Sequence, residues 1–375
     1  MFKKNDIDNI PELLEIEPAK GCNLRCIMCH VPHEKGRPEY IDLDNLRKST
    51  EGINDCHVII GSEYEPTIHP EFEELLRLAI DRNWKIDFLT NGVRLDKVDP
   101  KLLADVNFHV FNVSFDGATE NTFSKIRIGA NYTKVLDNIM SALEIVSKNG
   151  TYTAVNATLL DSNLHEAPDM VKMWNEMNFD LIRMFVMQAR SPNSDVIKES
   201  LYSKRSELAI MLNKVSQLVI DEQLRIGVRN GYYGSTKFLL PENLNLKIST
   251  IYSNNPDYRH VPGVRQDMQL GDWPGMNWPC KSPFVYCRIR WDGSVDLCNN
   301  RDFVVGNINE KSLVDIWNDK KTNKMRNKIK RSPSICKSCD YFRFCIGSRS
   351  QDIFEKESHF AGGLLQHSNI VNLSI

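Results

Sequence analysis

Apolar residues in the first half of the chain recur in two alternating rhythms. Short runs rich in β-branched and aromatic residues, each followed by turn formers, predict strands: "LLEIE" (Leu13–Glu17), "HVIIG" (His57–Gly61), "KIDFL" (Lys85–Leu89), "HVFNVSF" (His109–Phe115), "AVNATLL" (Ala154–Leu160) and "LIRMFVM" (Leu181–Met187). Between them, Phe72, Leu75, Leu76, Ala79 and Ile80 follow the i, i+3, i+4, i+7, i+8 spacing of a helix face, as do Val135, Leu136, Ile139, Leu143 and Val146. Pro168 suits the first turn of a helix after "DSNLHEA". Strands that alternate with helices imply parallel pairing and an α/β architecture. Six such units fall short of a closed eight-fold barrel and fit an open, partial (β/α)6 TIM-like barrel. In such folds the chemistry lies on loops beyond the carboxyl ends of the strands.

The rhythm breaks near Arg190. "SPNSD" reads as a loop, Leu208, Leu212, Val215 and Val219 mark a helix, and "LRIGVRN" reads as a strand. From Tyr232 to Pro279 the chain carries many Gly, Pro, Asn and aromatic residues without a period. That stretch reads as a connector or substrate-covering segment. "RIRWDGSVDLC" reads as a hairpin turning at Asp292-Gly293. The expected organisation is a barrel over 1–189, a connector over 190–279 and a cysteine-rich unit over 280–375.

Composition narrows the function. A formal net charge of −2 over 375 residues gives no basic field for nucleic acid or anionic membrane. No run approaches the roughly 20 apolar residues of a membrane span, and the N-terminus lacks the apolar stretch of a signal peptide. The expected location is the cytoplasm, where thiols stay reduced.

Ten cysteines are unevenly placed: Cys22, Cys26 and Cys29 in one loop, Cys56 alone, Cys280, Cys287 and Cys298 together, then Cys336, Cys339 and Cys345. Such clustering points to metal or cluster ligation rather than to disulfides. Cys56, before an apolar strand, reads as a buried structural thiol. Three thiolates on "KGCNLRCIMCH" can hold three irons of a cubane and leave the fourth iron open to a small molecule. A zinc knuckle completed by His30 or His33 is the competing reading.

The C-x3-C-x2-C loop after the first strand resembles that of the radical S-adenosylmethionine (SAM) superfamily. The resemblance implies that SAM chelates the open iron of a [4Fe-4S] cluster. An electron then cleaves it to methionine and a 5'-deoxyadenosyl radical, which abstracts a hydrogen atom from the substrate. "IIGSEYEPTIHPEFEELL" resembles the family's glycine-rich strand-2 exit, which makes Glu65 the acceptor for the SAM amino group. The usual Gly-Gly-Glu is not intact here, and Glu63 is a rival. "FLTNG", with Asn91, resembles the strand-3 exit. "VSFDGATENTFSKIRIG" resembles the strand-4 segment that meets the SAM ribose and carboxylate, with Ser114, Asp116 and Arg127 at the matching positions. "LLDSN" resembles the strand-5 exit. Met28 stands where the family usually has an aromatic near the adenine.

"WPCKSPFVYCRIRWDGSVDLCNN", "GNINEKSLVDIWN" and "CKSCDYFRFC" resemble the SPASM/twitch extension of these enzymes, which binds one or two auxiliary iron–sulfur clusters. The single-cluster form implies Cys280, Cys298, Cys336 and Cys339 as ligands, with Cys287 and Cys345 surplus. One auxiliary [4Fe-4S] cluster is the expectation, with two left open and a structural zinc as the bland alternative. Asp302 is a candidate proton acceptor, and Cys287 or Cys345 a candidate hydrogen donor to a substrate radical. The expected reaction is dehydrogenation or epimerization of a small metabolite or sugar, fed by a low-potential donor such as flavodoxin or ferredoxin. With the cluster loop beginning at residue 22, the expectation is that no leader-binding domain of the kind found in peptide-modifying relatives lies upstream. A peptide maturase is the alternative, and a non-catalytic metal-bound module the third reading.

Overall fold

In a computed structural model the described residues are 10–29, 31, 36–187, 198–201, 204–230, 282–298, 302–331 and 333–336. Each of the six expected strands forms: β1 (Leu13–Ile16), then, after a small antiparallel pair β2 (Ala19–Lys20) and β3 (Glu39–Tyr40), β4 (His57–Ile60), β5 (Lys85–Thr90), β6 (Phe108–Ser114), β7 (Tyr152–Leu159) and β8 (Leu181–Val186). They lie side by side in chain order, every neighbouring pair parallel. Helices α1 (Leu43–Ser49), α2 (Phe72–Asp81), α3 (Pro100–Asp105), α4 (Glu120–Ile126), α5 (Tyr132–Val146) and α6 (Ala167–Glu176) fill the crossovers. Asp42, Asp99, Thr119 and Asn131 cap the first turns of α1, α3, α4 and α5 with side-chain oxygens. Pro168 sits in the first turn of α6, where its missing N–H costs nothing.

The apolar face of each strand meets the apolar stripe of a helix. Leu14 and Ile16 of β1, Val58 and Ile60 of β4, and Ile86 and Phe88 of β5 are fully buried in one core with Leu75, Leu76, Ile139 and Trp174 from the helices. Strand alternation puts Glu15 on the other face of β1.

The barrel runs further than the sequence pattern indicates. Residues assigned to the connector form α7 (Arg205–Asp221) and β9 (Gly227–Asn230), and β9 adds a seventh parallel strand beside β8. Leu208, Leu212, Val215 and Val219 seat α7 in the core. The parallel sheet thus continues to Asn230, with apolar residues of α7 and Val228 of β9 buried in the same core.

The C-terminal unit joins the other end of the sheet. Following a short helix α8 (Ser282–Val285), β10 (Tyr286–Ile289) lies parallel to β1, pairing Leu13 with Tyr286 and Ile16 with Ile289. β11 (Ser294–Asp296) and β12 (Val304–Asn307) follow antiparallel, giving a sheet of ten strands. The hairpin turns at Asp292-Gly293, as the sequence indicates: Gly293 has φ +80° and Asp292 Oδ1 accepts the Ser294 N–H at 2.9 Å. Helices α9 (Leu313–Asn318) and α10 (Lys320–Arg331) cover it. Buried Arg326 fastens α10, donating to the Pro283 and Trp317 carbonyls at 2.7 and 2.8 Å with its guanidinium 4.0 Å from the Trp317 ring centre. Cys287, Ile289, Val295 and Trp317 share the barrel's core.

Gly61, at the exit of β4, holds the tightest backbone approach near the site. Its φ is +82°, and a Cβ there would lie 2.5 Å from Pro66 Cγ and 2.7 Å from the Leu89 carbonyl oxygen. Gly61→Ala is expected to destabilise the fold by about 1–3 kcal/mol, lowering the thermal midpoint. Gly52→Ala, with φ +80° and open space around it, reports the backbone cost alone and should lose less.

Candidate active site

The cysteine loop leaves the barrel just past β1. Gly21, at φ +135°, turns the chain after β2, and Cys22, Cys26 and Cys29 follow, all half-buried and none in a disulfide. Two backbone bonds dock the loop on the end of α4: Arg25 N–H donates to the Ile128 carbonyl at 2.9 Å and Ile27 N–H to that of Ile126 at 3.0 Å. Cys22 Sγ accepts the Leu24 N–H at 3.4 Å and lies 3.5 Å from Asn91 Nδ2. Asn91 Nδ2 also donates to Asn23 Oδ1 at 2.7 Å, so the β5 exit grips the loop. Burial pushes the Cys22 thiol up to about 11 and the Cys26 thiol up to about 12, the latter against the pull of the Arg127 cation. A metal that replaces the thiol proton reverses this preference.

The three thiols do not share single-ion spacing. Among the described residues, the one trio of His, Cys, Asp or Glu with ligand atoms all within 4.8 Å is His57, Asp87 and His109, elsewhere in the barrel. Three thiols on one loop, with N–H groups aimed at a sulfur and a buried guanidinium behind, suit a cluster larger than one ion.

The expected SAM-contacting residues gather around the same loop. Glu65 is buried beside Asn91: one oxygen accepts Thr67 Oγ1–H at 2.6 Å and Thr90 Oγ1–H at 2.8 Å, and the other accepts the Asn91 N–H at 2.7 Å. Burial raises its pKa above the usual carboxylate range, against these donors. Glu63, the rival, turns away toward Arg288, 3.3 Å off. Arg127 is buried and already holds a carboxylate of its own chain, Asp116, at 2.7 Å. Asp116 in turn accepts the Thr158 N–H at 2.6 Å, which ties the β6 exit to β7. Burial raises Asp116, and Asp116 raises Arg127. Ser114 ends β6 opposite Asn156. Asn163, in the strand-5 exit, accepts the Leu160 N–H at 2.7 Å and donates to the Asp116 and Thr158 carbonyls. Met28 and Ile27 pack on Ile126, Leu160 and Met187, a small apolar patch beyond β7 and β8. That is the setting a planar, weakly polar ring requires.

Several functional-site residues were not singled out from the sequence. Glu166 is buried and accepts the Ala118 N–H and the Thr119 and Thr122 hydroxyls at 2.6–2.7 Å, stapling the β6 exit. Glu15 and Glu17, on the inner face of the first strand, are buried too. Glu17 Oε1 accepts the N–H groups of Ser62 and Glu63, each at 2.8 Å. Glu15 accepts the hydroxyls of Ser62 at 2.7 Å and Tyr286 at 2.8 Å. The signal was present: "LLEIE" puts its two carboxylates on one face of a strand.

The C-terminal candidates separate. Cys298 follows β11 and Cys336 closes the turn after α10, both half-buried. Cys280, Cys339 and Cys345 lie outside the described residues. Cys287 pairs with Leu14 and is fully buried in the apolar core, on the face of β10 opposite Tyr286 and Arg288. Strand alternation aims its sulfur into that core. Asp302 is exposed and ion-paired with Arg290, which also holds Asp296. Cys56 is buried, as expected.

A partial parallel barrel with three cysteines on the loop that leaves its first strand, and a strand-sharing cysteine unit at its edge, has the donor set of an iron–sulfur protein. The chain matches the radical SAM superfamily model over residues 16–173 and the model of the SPASM iron-sulfur cluster-binding domain over residues 280–340. It carries a radical SAM domain and, toward its C-terminus, a SPASM domain. The cofactors that follow are a [4Fe-4S] cluster, SAM and auxiliary iron–sulfur ligation. The chain is 20% identical to an AdoMet-dependent heme synthase of Methanosarcina barkeri, covering 92% of each chain. It is 24% identical to a PqqA peptide cyclase of Bradyrhizobium diazoefficiens over 48% of this chain and 47% of that one. Its fold matches Streptococcus suis SuiB bound to the precursor peptide SuiA with a TM-score of 0.61 at 16% identity, covering 96% of this chain and 76% of the other.

Burial and the neighbouring Glu15 and Glu63 raise the Glu17 carboxyl from 4.5 to about 8. The folded chain then keeps a proton that the unfolded chain releases near pH 4.5, so this group's contribution to stability falls as pH rises from about 4.5 to 8. Glu17→Gln is expected to flatten that slope, read from denaturation midpoints at pH 5 and pH 8.

Proposed function

We propose that this chain cleaves SAM reductively and uses the resulting 5'-deoxyadenosyl radical to abstract a hydrogen atom from a substrate carbon, with a peptide as the substrate. The observation that carries the chemistry is the three-cysteine loop held against Asn91, Glu65 and Arg127. The cluster, when bound by Cys22, Cys26 and Cys29, supplies the electron and the open iron position. The chain's own residues fix the surroundings. Asn91 and the Leu24 amide aim hydrogen-bond donors at Cys22, and the Asp116–Arg127 pair places a cation behind Cys26. Glu65, locked by Thr67, Thr90 and Asn91, presents carboxylate oxygens to an ammonium group. Met28, Ile27, Leu160 and Met187 would offer an apolar surface to the adenine. Cys298 and Cys336, with Cys280 and Cys339 of the same SPASM segment, would hold an auxiliary cluster, which would supply an electron acceptor.

The peptide reading is supported by the PqqA cyclase relative and by the fold shared with the peptide-bound SuiB. A second reading, oxidation of a small non-peptide metabolite, is favoured by one observation: the heme synthase matches this chain over 92% of its own length, whereas the peptide cyclase does so over 47%.

Anaerobic reconstitution is expected to load about eight irons per chain, falling to about four in a Cys22/Cys26/Cys29→Ala variant. With SAM and dithionite the wild type should release 5'-deoxyadenosine, and the variant at least about 100-fold less. Zinc in place of iron would defeat the radical reading. Short peptides encoded beside the gene should raise 5'-deoxyadenosine release and lose two hydrogens by mass. Stimulation by tetrapyrrole precursors and by no peptide would favour the second reading.

A further inference from the structure

His57, Asp87 and His109 form a second constellation at the amino ends of β4, β5 and β6, the end of the barrel opposite the cysteine loop. Asp87 Oδ1 lies 2.8 Å from His109 Nδ1 and 3.0 Å from His57 Nε2. The two imidazole rings stand edge to face, their centres 5.0 Å apart. Nothing in the proposed radical chemistry uses these three residues.

The backbone is built around this contact. Ile86 pairs with Phe108, but the next residue, Asp87, pairs with Val110, so β6 carries one extra residue at His109. This bulge leaves Phe108 and Phe111, three positions apart, both packed on Phe88. It also leaves His109 beside Asp87 rather than aligned with the regular ladder. Bulges commonly re-aim a side chain for a task. His57 contributes a second clue. Its Nε2 is shielded from solvent and faces the same Asp87 Oδ1 at 3.0 Å. Two imidazole nitrogens turned on one carboxylate oxygen put three potential ligand atoms around a single point.

We propose that His57, Asp87 and His109 bind one divalent transition-metal ion of the zinc class, as an N2O site independent of the iron–sulfur centres. A zinc ion about 2.0–2.2 Å from each ligand atom holds neighbouring ligand atoms about 3–3.5 Å apart. All three atoms here lie within 4.8 Å of one another, and small side-chain rotations open the two shorter gaps. Two imidazoles and one carboxylate select Zn²⁺, Co²⁺ or Fe²⁺ over Mg²⁺ and Ca²⁺, which prefer all-oxygen sets. Each imidazole binds through the nitrogen that faces Asp87, with its proton on the other ring nitrogen. The His57 side chain is 28% exposed, which gives the ion a route from solvent, while His109 at 6% and Asp87 at 16% form the buried floor. The site joins three adjacent strands at the face where barrels carry stability rather than chemistry. Its role is therefore to clamp β4, β5 and β6.

The test uses the full chain with its iron–sulfur clusters reconstituted, stripped of loose metal by chelator, exposed anaerobically to one equivalent of Zn²⁺ and passed through a desalting column. Wild type is expected to retain about one zinc per chain. Its zinc X-ray absorption should show nitrogen and oxygen neighbours without sulfur at about 2.3 Å. His57→Gln and His109→Gln should each cut retained zinc at least about tenfold while iron content stays at the wild-type value. No retained zinc in wild type, zinc with sulfur neighbours, or equal retention by the folded variants would overturn the proposal. Should a variant lose its iron through misfolding, the absorption spectrum of the wild type still decides the ligand set.

Discussion

The chemistry face of this barrel hangs on a carboxyl group that water never reaches. Glu17 leaves the first strand and takes the amides of Ser62 and Glu63 on one oxygen, with the Tyr64 amide 3.4 Å from the other. Those amides belong to the turn between Gly61 and Glu65, and Glu65 in turn collects Thr90 and the Asn91 amide. Asn91 then reaches the cysteine loop. One chain of hydrogen bonds therefore runs from the first strand through two strand exits to the thiols. A buried carboxylate with amide donors ordinarily loses its proton easily. Here desolvation and two neighbouring acids outweigh the donors, so the group is held by geometry at an electrostatic cost.

That cost is shared with the C-terminal unit. Arg288, buried on β10, stands 3.3 Å from Glu63 and 3.5 Å from Asp296, and its charge draws Glu15 down while burial drives it up. Tyr286 donates to Glu15, and Trp291 at the hairpin turn packs edge-on against Tyr64, with the Lys20 ammonium over its ring. The SPASM strands are thus a structural wall of the barrel as well as a bearer of cysteines. Parallel pairing of β10 with β1 and a continuous apolar core make the two units one folding body.

Much of this was legible in the residues. β-branched and aromatic runs at regular intervals mark the six strands, since one face of each is packed against the helices and must stay apolar. The cysteine loop was legible because its spacing carries its chemistry. Other features rest on contacts remote in sequence. β9 is four residues long and follows a glycine-bounded turn, so local pattern left it with the connector. Nothing local tells β10 to lie beside β1, some 270 residues earlier. The choice between Glu63 and Glu65 as neighbour of the cysteine loop was open until Arg288 supplied a partner for the first and Asn91 for the second. Alternation places Cys287 opposite Tyr286 and Arg288, but which face is the core follows only from the assembled sheet. The His109 bulge is invisible to periodicity, because a single inserted residue reads as noise in a seven-residue run.

Parallel docking of β10 on β1 also sets an order of events during synthesis. β1 is made before the other strands of the sheet and gains β4 on one side soon after, but its opposite edge stays bare until β10, some 270 residues later, has been made. Through that interval Glu15 and Glu17 remain reachable by water. The nascent barrel thus carries two acids beside its open edge, a placement that discourages another chain from adding a strand there before the proper one arrives.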